Sequence, residues 1–414
     1  MFIHKMDVFQ DAIEVDSKKV YQIQALYNTD STLEFVIQPE RDFIFANDIF
    51  LNFHIEIDKH YVMDNQADKL FDSVEVIVNN EKVSSRSNSN EYFLSSFFQT
   101  KANHPADHFS NVLRPAGWFT VPNWDTEGIL TAIPVDRRAQ YISDHTEHKI
   151  NNDKDELVAR SYYFSMQINT PLFQQMKPLP SAVPIHINFK RSKPEIALLK
   201  VNNEENNTYN GKQIEIKDPY LEVTAVRSEK LAKRLNLSGR GELNYPVDVG
   251  VIRTHTIEDG LNHIKFNATT GGKLPIQIFT GLMTPDAFHG DFTKSASKFC
   301  RHNLRRMELF VDNKALPGSQ INCSEENSIE AYTKFSRNCK AIPNVFVGRM
   351  MGPHEYAGTN FITAYDMSGL DVSSGWLTVN LDFEENIKEK LMLVVYMVFE
   401  KTITFDKHRY VTIS

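Results

Sequence analysis

The chain has 414 residues, beyond the roughly 250 to 300 at which one hydrophobic core usually stops growing, so two domains are expected. With 41% hydrophobic and 24% charged residues it has the make-up of a folded globular protein, which excludes a disordered or fibrous chain. A formal net charge of -8 excludes a protein that coats nucleic acid over its whole surface and leaves at most a local basic face.

Met1 to Asp11 carries neither the basic start nor the long apolar run of a secretory signal. The longest strongly apolar run, Leu391 to Phe399, falls far short of the ~20 residues a membrane helix needs, so no export by signal peptide and no membrane insertion are expected. Three cysteines, Cys300, Cys323 and Cys339, cannot all pair and form no C-x-x-C. Free thiols in a reducing compartment are the simplest reading.

Leu33 to Gln38 and Phe43 to Ile57 are the first two strand-like segments, the second alternating through Phe50, Leu51, Phe53, Ile55 and Ile57. Phe71 to Val83 follows as a strand, a two-residue Asn79-Asn80 turn and a return. Val74, Val76 and Val78 alternate with Glu75 and Ile77, the period of a strand that buries one face. Asn90 to Gln99, with Tyr92, Phe93, Phe97 and Phe98, is expected to be a short helix or a strand start, with Asn90 able to cap it.

From Thr100 to Glu156 the pattern weakens, and Ser143 to Glu156 is polar throughout, so a long surface excursion is expected there. Alternation returns at Ser161 to Ile168, Val183 to Lys190 and Pro219 to Val226, with a turn-forming loop at Asn202 to Gly211. Arg227 to Gly241 breaks the β pattern with helix formers, basic residues and a Ser-Gly-Arg-Gly end, and reads as the connector between domains.

The second half repeats the plan. Val247 to Ile257, His263 to Ala268 and Leu274 to Leu282 lead to Leu304 to Leu316, where Met307, Leu309 and Val311 alternate before an Asp312-Asn313 turn. Side chains of this type tolerate the positive φ that a tight hairpin demands. Ser328 to Phe335 stands where the first half has its aromatic segment, with Tyr332 matching Tyr92 loosely; Asn360 to Tyr365, Trp376 to Phe383, Leu391 to Lys401 and Tyr410 to Ile413 complete the strands. Ile185, Ile187 and Phe189 line up with Val395, Met397 and Phe399, and Tyr220 to Val223 with Tyr410 to Ile413. The shared order of these pairs, more than any one of them, points to an internal repeat whose extra residues belong to the first half.

The chemistry-bearing residues are scattered. His145 and His148 lie beside Asp144 and Glu147, but no third spaced ligand accompanies them, and a solvated loop outweighs a metal site. His54 and His186 sit on the polar sides of strands. Cys300, Arg301 and His302 together hold the ingredients of an activated thiolate without the constrained turn such a nucleophile needs, so a buried structural thiol is expected. Gly271-Gly272 and Gly239 to Gly241 have no phosphate-loop spacing and read as turns. Arg227, Lys230, Lys233, Arg234 and Arg240 form a basic run without interleaved aromatics, which fits a solvated connector better than a nucleic-acid surface. No catalytic, cofactor-binding or metal residue is assigned, and no cofactor or enzymatic activity is expected.

The segments Phe43 to Ile55, Leu70 to Val83 and Ile185 to Ser192, followed by Gly281 to Phe299 and Asn303 to Asn313, resemble the double jelly-roll major capsid proteins of Polinton (Maverick) elements and adintoviruses. The most specific part is Gly281 to Phe299, with Asp286, Ala287, Phe288, Gly290 and the following Phe-Thr-Lys. The resemblance implies an all-β chain of two tandem antiparallel jelly-roll β-sandwiches with short helices in loops. One would occupy residues 1–230, with a long loop insertion at about 100–156, and the other residues 231–414. It implies a structural virion protein, assembled in the host cytoplasm or nucleus, whose homotrimers form pseudo-hexameric capsomers that tile an icosahedral shell. Minor or penton capsid proteins would be its partners, and nucleic acid would be met at most through inner-face basic residues.

On this reading the excursion and the Asn202 loop are candidates for an outward tower or a trimer clasp. Asp286 to Phe288 and Phe292 would form a structural corner, and Met1 to Val15 would reach a neighbouring capsomer or the inner face. The competing class is a two-domain carbohydrate- or receptor-binding β-sandwich protein, for which Trp118, Trp124 and Trp376 would have to form exposed platforms.

Overall fold

The computed structural model describes residues 16–38, 43–58, 60–64, 66–83, 90–103, 115–116, 118, 146–151, 156–175, 177–180, 183–200, 209, 211–229, 242–269, 271–339, 351–358, 360–370, 372–406 and 410–414. Both hairpins form as their sequences dictate. Phe71–Val78 turns through Asn79 and Asn80 at φ 49° and 67° into Glu81–Lys82. Leu304–Val311 turns through Asp312 and Asn313 at φ 49° and 64° into Lys314–Ala315. Two consecutive left-handed residues give the tight turn whose twist matches that of the flanking strands.

In the first half, Ser17–Gln24, Ile216–Arg227, Phe43–Asp58, Glu156–Gln167 and Thr146–Asn151 lie side by side in one antiparallel sheet, with Leu179–Pro180 also on Phe43–Asp58. A second sheet runs Tyr27–Asn28, Thr32–Ile37, Ile185–Arg191, Phe71–Val78, Glu81–Lys82. Leu51, Phe53, Ile55 and Ile57 of the first sheet are buried, and the Phe53 and Phe71 rings meet across the sandwich at 6.1 Å.

The second half gives Leu243–Ile257, Leu391–Phe405, Gln277–Met283 and Ile362–Asp366 in one sheet, and His263–Asn267, Leu377–Phe383, Leu304–Val311 and Lys314–Ala315 in the other. The two sheets pack through buried apolar side chains, with Thr280 and Thr363 of one meeting Met307 of the other.

Taken in chain order, the eight matching strands of each half stand 1-8-3-6 in one sheet and 2-7-4-5 in the other. That is the jelly-roll arrangement, present twice. The repeat expected from sequence is therefore real, but two of its finer correspondences shift by one strand. Ile185–Arg191 matches Leu377–Phe383, since each pairs with its hairpin strand. Ile216–Arg227 matches Leu391–Phe405, and Val411–Ile413 is an addition on the end of the latter. Alternating apolar strands resemble one another in sequence; their hydrogen-bonded neighbours tell them apart.

Three further observations concern the aromatic segment and the excursion. The aromatic segment is a helix, Glu91–Asn103, that runs on past Thr100. Asn90 is left-handed at φ 63° and its side-chain amide donates to Phe288 O at 2.6 Å, so it ties the helix start to the second half. Thr146–Asn151, inside the expected polar loop, is a strand paired with Glu156–Gln167. Met1 to Val15, most of His104 to His145, Trp124, most of the Asn202 loop, and Lys230, Lys233, Arg234 and Gly239 to Gly241 lie outside the described residues.

Candidate functional site

The most heavily worked region is the seam between the two rolls. Each roll contributes the connection after its third matching strand, residues 59–70 in the first and 284–303 in the second. Lys69, with no exposed surface, donates to Asp64 of its own connection and to Ser297 Oγ at 2.8 Å and Ser295 Oγ at 3.4 Å across the seam. Ser295 Oγ also lies 2.9 and 2.8 Å from the two Asp64 carboxylate oxygens. Loss of water lowers the Lys69 pKa, and the Asp64 carboxylate works against that shift. A buried ammonium is tolerable only when paired and hydrogen-bonded, and here the second roll completes its shell.

Nearby, Asp68 accepts from Ser96 Oγ at 2.9 Å, and burial pushes its carboxyl up to about 6 against that hydrogen bond. Tyr92, beside it, is raised well above the usual phenol range, first by burial and then by the Asp68 charge.

The stretch Gly281 to Phe299 supplies the rest. Thr284 caps a short helix, Pro285–His289, and Asp286 pairs with Lys294 at 2.7 Å, which holds the Asp286 carboxyl below its ordinary range. Gly290 has φ 102°, and a Cβ there would meet Glu195 Cβ of the first roll at 3.0 Å. Phe292 lies 5.1 Å from both Tyr61 and Tyr209, and its carbonyl accepts from Lys200 N at 2.7 Å. The helix Glu91–Asn103 fills the centre. Phe98 stacks on Tyr396 at 5.6 Å and 7° and meets Phe279 and Phe299 at 6.1 and 5.3 Å. Gln99 Nε2 donates to Tyr396 OH at 2.5 Å, and a Cβ at Gly250 would run into the Tyr396 ring.

The seam extends along the rolls. Tyr245 OH donates to Pro178 O at 3.0 Å, and Gln175 Nε2 to Pro246 O at 2.7 Å. The connections 59–70 and 284–303 meet at one end, whereas Pro178 meets Tyr245 at the other. The rolls therefore stand side by side and point the same way. At that other end of the second roll Trp376 packs over Gly271 and exchanges backbone and side-chain hydrogen bonds with Asp312.

Residues singled out for chemistry are not brought together. Cys300 is half-buried and Cys323 and Cys339 are buried. Burial raises the Cys300 thiol and pushes Cys323 up to about 12, the reverse of what a thiolate nucleophile needs. His302 faces Glu389 at 3.6 Å, its pKa lowered by burial. His54 stacks on Tyr163 at 5.4 Å and faces Asp218 at 3.7 Å, and His186 sits half-buried on a strand. His148 lies in the Thr146–Asn151 strand, and His145 is outside the described residues. Gly271 and Gly272 form a turn at φ 100° and 88°, and Arg227 ends a strand, exposed.

The platforms needed for a glycan-binding reading are reduced, because Trp118 is 2% exposed and stacked on Phe97, while Trp376 is 57% exposed. A cleft at the seam, lined by Ser73, Glu91, Gln99, Thr170, Gly250 and Tyr396, has room for about 40 Å³, the scale of a bound water. Among the described residues no helix is long and apolar enough to cross a membrane.

No protein-family model matches the chain, and no curated protein matches it. Solved structures do. The chain is similar to a protein in the cryo-EM structure of the Sputnik virophage, with a TM-score of 0.65 and 10% identity over 98% of this chain and 90% of that one. It is similar to the mavirus major capsid protein, with a TM-score of 0.59 and 10% identity over 98% and 93% of the two chains. The Faustovirus major capsid protein gives a TM-score of 0.56 and 8% identity over 95% and 91%. At these identities the likeness is one of fold: the chain is a double jelly roll of the kind seen in these capsid proteins.

Proposed function

We propose that the chain is a major capsid protein whose homotrimers form pseudo-hexameric capsomers that tile an icosahedral shell, and that it belongs with the capsid proteins of Polinton elements and adintoviruses. The observation that carries this reading is the pair of like-oriented rolls locked through an apolar, hydrogen-bonded seam, in a fold shared along nearly the whole chain with viral major capsid proteins. Two similar barrels per polypeptide turn a threefold ring into a near-sixfold outline, which packs a flat lattice. The role is structural and non-enzymatic, which fits thiols held protonated and histidines engaged by carboxylates.

In this reading the rolls occupy residues 1–230 and 231–414, and the connections gathered at the seam's Lys69 end form the outward surface. Minor or penton proteins are its partners in the virion, and nucleic acid would be met at most through inner-face basic residues. Electron microscopy of the protein expressed alone tests this: hexagonal capsomers or empty shells are expected, whereas a folded protein that stays monomeric at high concentration defeats it.

A further inference from the structure

The small cleft at the seam is walled by both rolls. Ser73, Glu91, Ser95 and Thr170 come from the first, and Gly250 and Tyr396 from the second. Gly250 lets the Tyr396 ring lie against its own strand, since a Cβ there would run into that ring. Gln99 then holds the phenol from the helix side, its Nε2 donating to Tyr396 OH at 2.5 Å while its Oε1 accepts from Gln174 Nε2 at 2.5 Å. The amide of Gln99 is thus spent on the walls, and carboxylate and hydroxyl oxygens are what the cleft offers to an occupant.

Two features decide what that occupant is. Thr170 is 4% exposed, and its hydroxyl has no hydrogen-bond partner. Its backbone is committed to a local turn, Thr170 N donating to Ile168 O at 3.0 Å and Phe173 N to Thr170 O at 3.0 Å, which leaves the side chain to face the cleft. A buried hydroxyl is ordinarily satisfied, so a ligand is expected there. The second feature is charge. The lining holds no lysine, arginine or histidine, and it includes the Glu91 carboxylate, so an anion would be repelled. Asp248 stands two residues before Gly250, on the same face of its strand. Burial raises the Tyr396 phenol, and the Asp248 and Glu91 charges add to that rise, so both carboxylates act on the space beside the ring.

We propose that the cleft is a binding site for one hard divalent cation of the calcium kind, held by the Glu91 carboxylate and the Thr170 hydroxyl, with Ser73, Ser95 and retained water completing its shell. Carboxylate and hydroxyl oxygens are the donors such an ion takes, and the lining has no soft sulfur ligand. Glu91 and Asp248 together balance its double charge. A space that accepts a water also accepts a desolvated ion, and calcium tolerates an irregular oxygen shell, whereas magnesium gives up water reluctantly and demands a regular octahedron. Because Asp248 and Tyr396 belong to the second roll and the ligands to the first, the bound ion draws the two rolls together. The site is a property of the single chain and does not depend on shell formation.

The test uses the full chain stripped with EDTA, returned to chelator-free buffer of fixed ionic strength and titrated with terbium, whose luminescence is excited through a neighbouring tyrosine. Tyr92 and Tyr396 line the cleft and serve as the antenna. One saturable site per chain is expected, emptied by calcium more readily than by magnesium, and calcium should raise the melting temperature above that of the stripped protein. Glu91→Gln should abolish both signals. Thr170→Val, which removes the hydroxyl and keeps nearly the same shape, should weaken binding by about tenfold. Melts of the stripped variants report folding separately, and if Glu91→Gln does not fold, Thr170→Val with Ser95→Ala takes its place. A folded chain with no saturable site overturns the proposal. So does a site whose affinity is the same in Thr170→Val and Glu91→Gln, which would mark an adventitious ion only, held by carboxylates elsewhere on the surface.

Discussion

Asp68 shows how one buried group ties stability to pH. Its ordinary pKa of 3.8 is raised to about 6 in the folded chain, mainly by desolvation. Between those values the unfolded chain has released the proton while the folded chain still holds it. Stability therefore falls as pH rises through that window and stays reduced above it, by on the order of 3 kcal/mol for a shift of this size. Asp68→Asn should remove that slope and raise the melting temperature at neutral pH, as thermal melts from pH 4 to 7.5 would show. A variant that keeps the slope would place its origin in another group. At this scale the sequence was least informative: nothing in the sequence around Asp68 and Lys69 marks them as buried, and the Lys69 shell is completed by Ser295 and Ser297, more than 200 positions away. Trp118 likewise carried no sign that it would stack beneath Phe97.

Elements with one buried face were legible, and those without were not. The Phe71 and Leu304 hairpins, the Phe43–Asp58 strand and the return strand at Ile185 all announce themselves by alternation. Ser17–Gln24 does not: its SKKVYQIQ sequence has only Tyr21 and Ile23 half-buried on one side, too short an alternation to reveal it, and it is a strand through its pairing with Ile216–Arg227. Thr146–Asn151 was hidden for the same reason, being polar and bonded along Glu156–Gln167 at the sheet's margin. Removing residues 143–155 should accordingly leave the monomer folded, with circular dichroism close to that of the full chain and a melting temperature lower by no more than a few degrees. Loss of cooperative unfolding on that deletion would mean that the segment belongs to the core.

For the whole molecule, the question is whether two rolls behave as two bodies. The stacked Phe98, Tyr396, Phe279 and Phe299 rings and the shared Lys69 shell argue that they melt together. Calorimetry should show a single transition. Phe98→Ala, which empties a fully buried ring site, should cost about 3 to 5 kcal/mol and split or broaden that transition by loosening one roll from the other. A sharp single transition at an unchanged temperature would show that the seam contributes little. The doubling itself was visible in the two hairpins, whereas the direction in which the rolls point was not, because it depends on which connections touch.

That shared direction separates two dimensions of the molecule. Width is set by the sandwiches, whose strand spacing and sheet distance are fixed by hydrogen bonding and side-chain size. Height is set by the connections at the Lys69 end, where each doubling of a flexible loop costs only about 0.6 kcal/mol in closure entropy. A chain of this fold can thus grow taller or shorter at that end, altering what it presents to its surroundings, while the width of its two rolls stays the same.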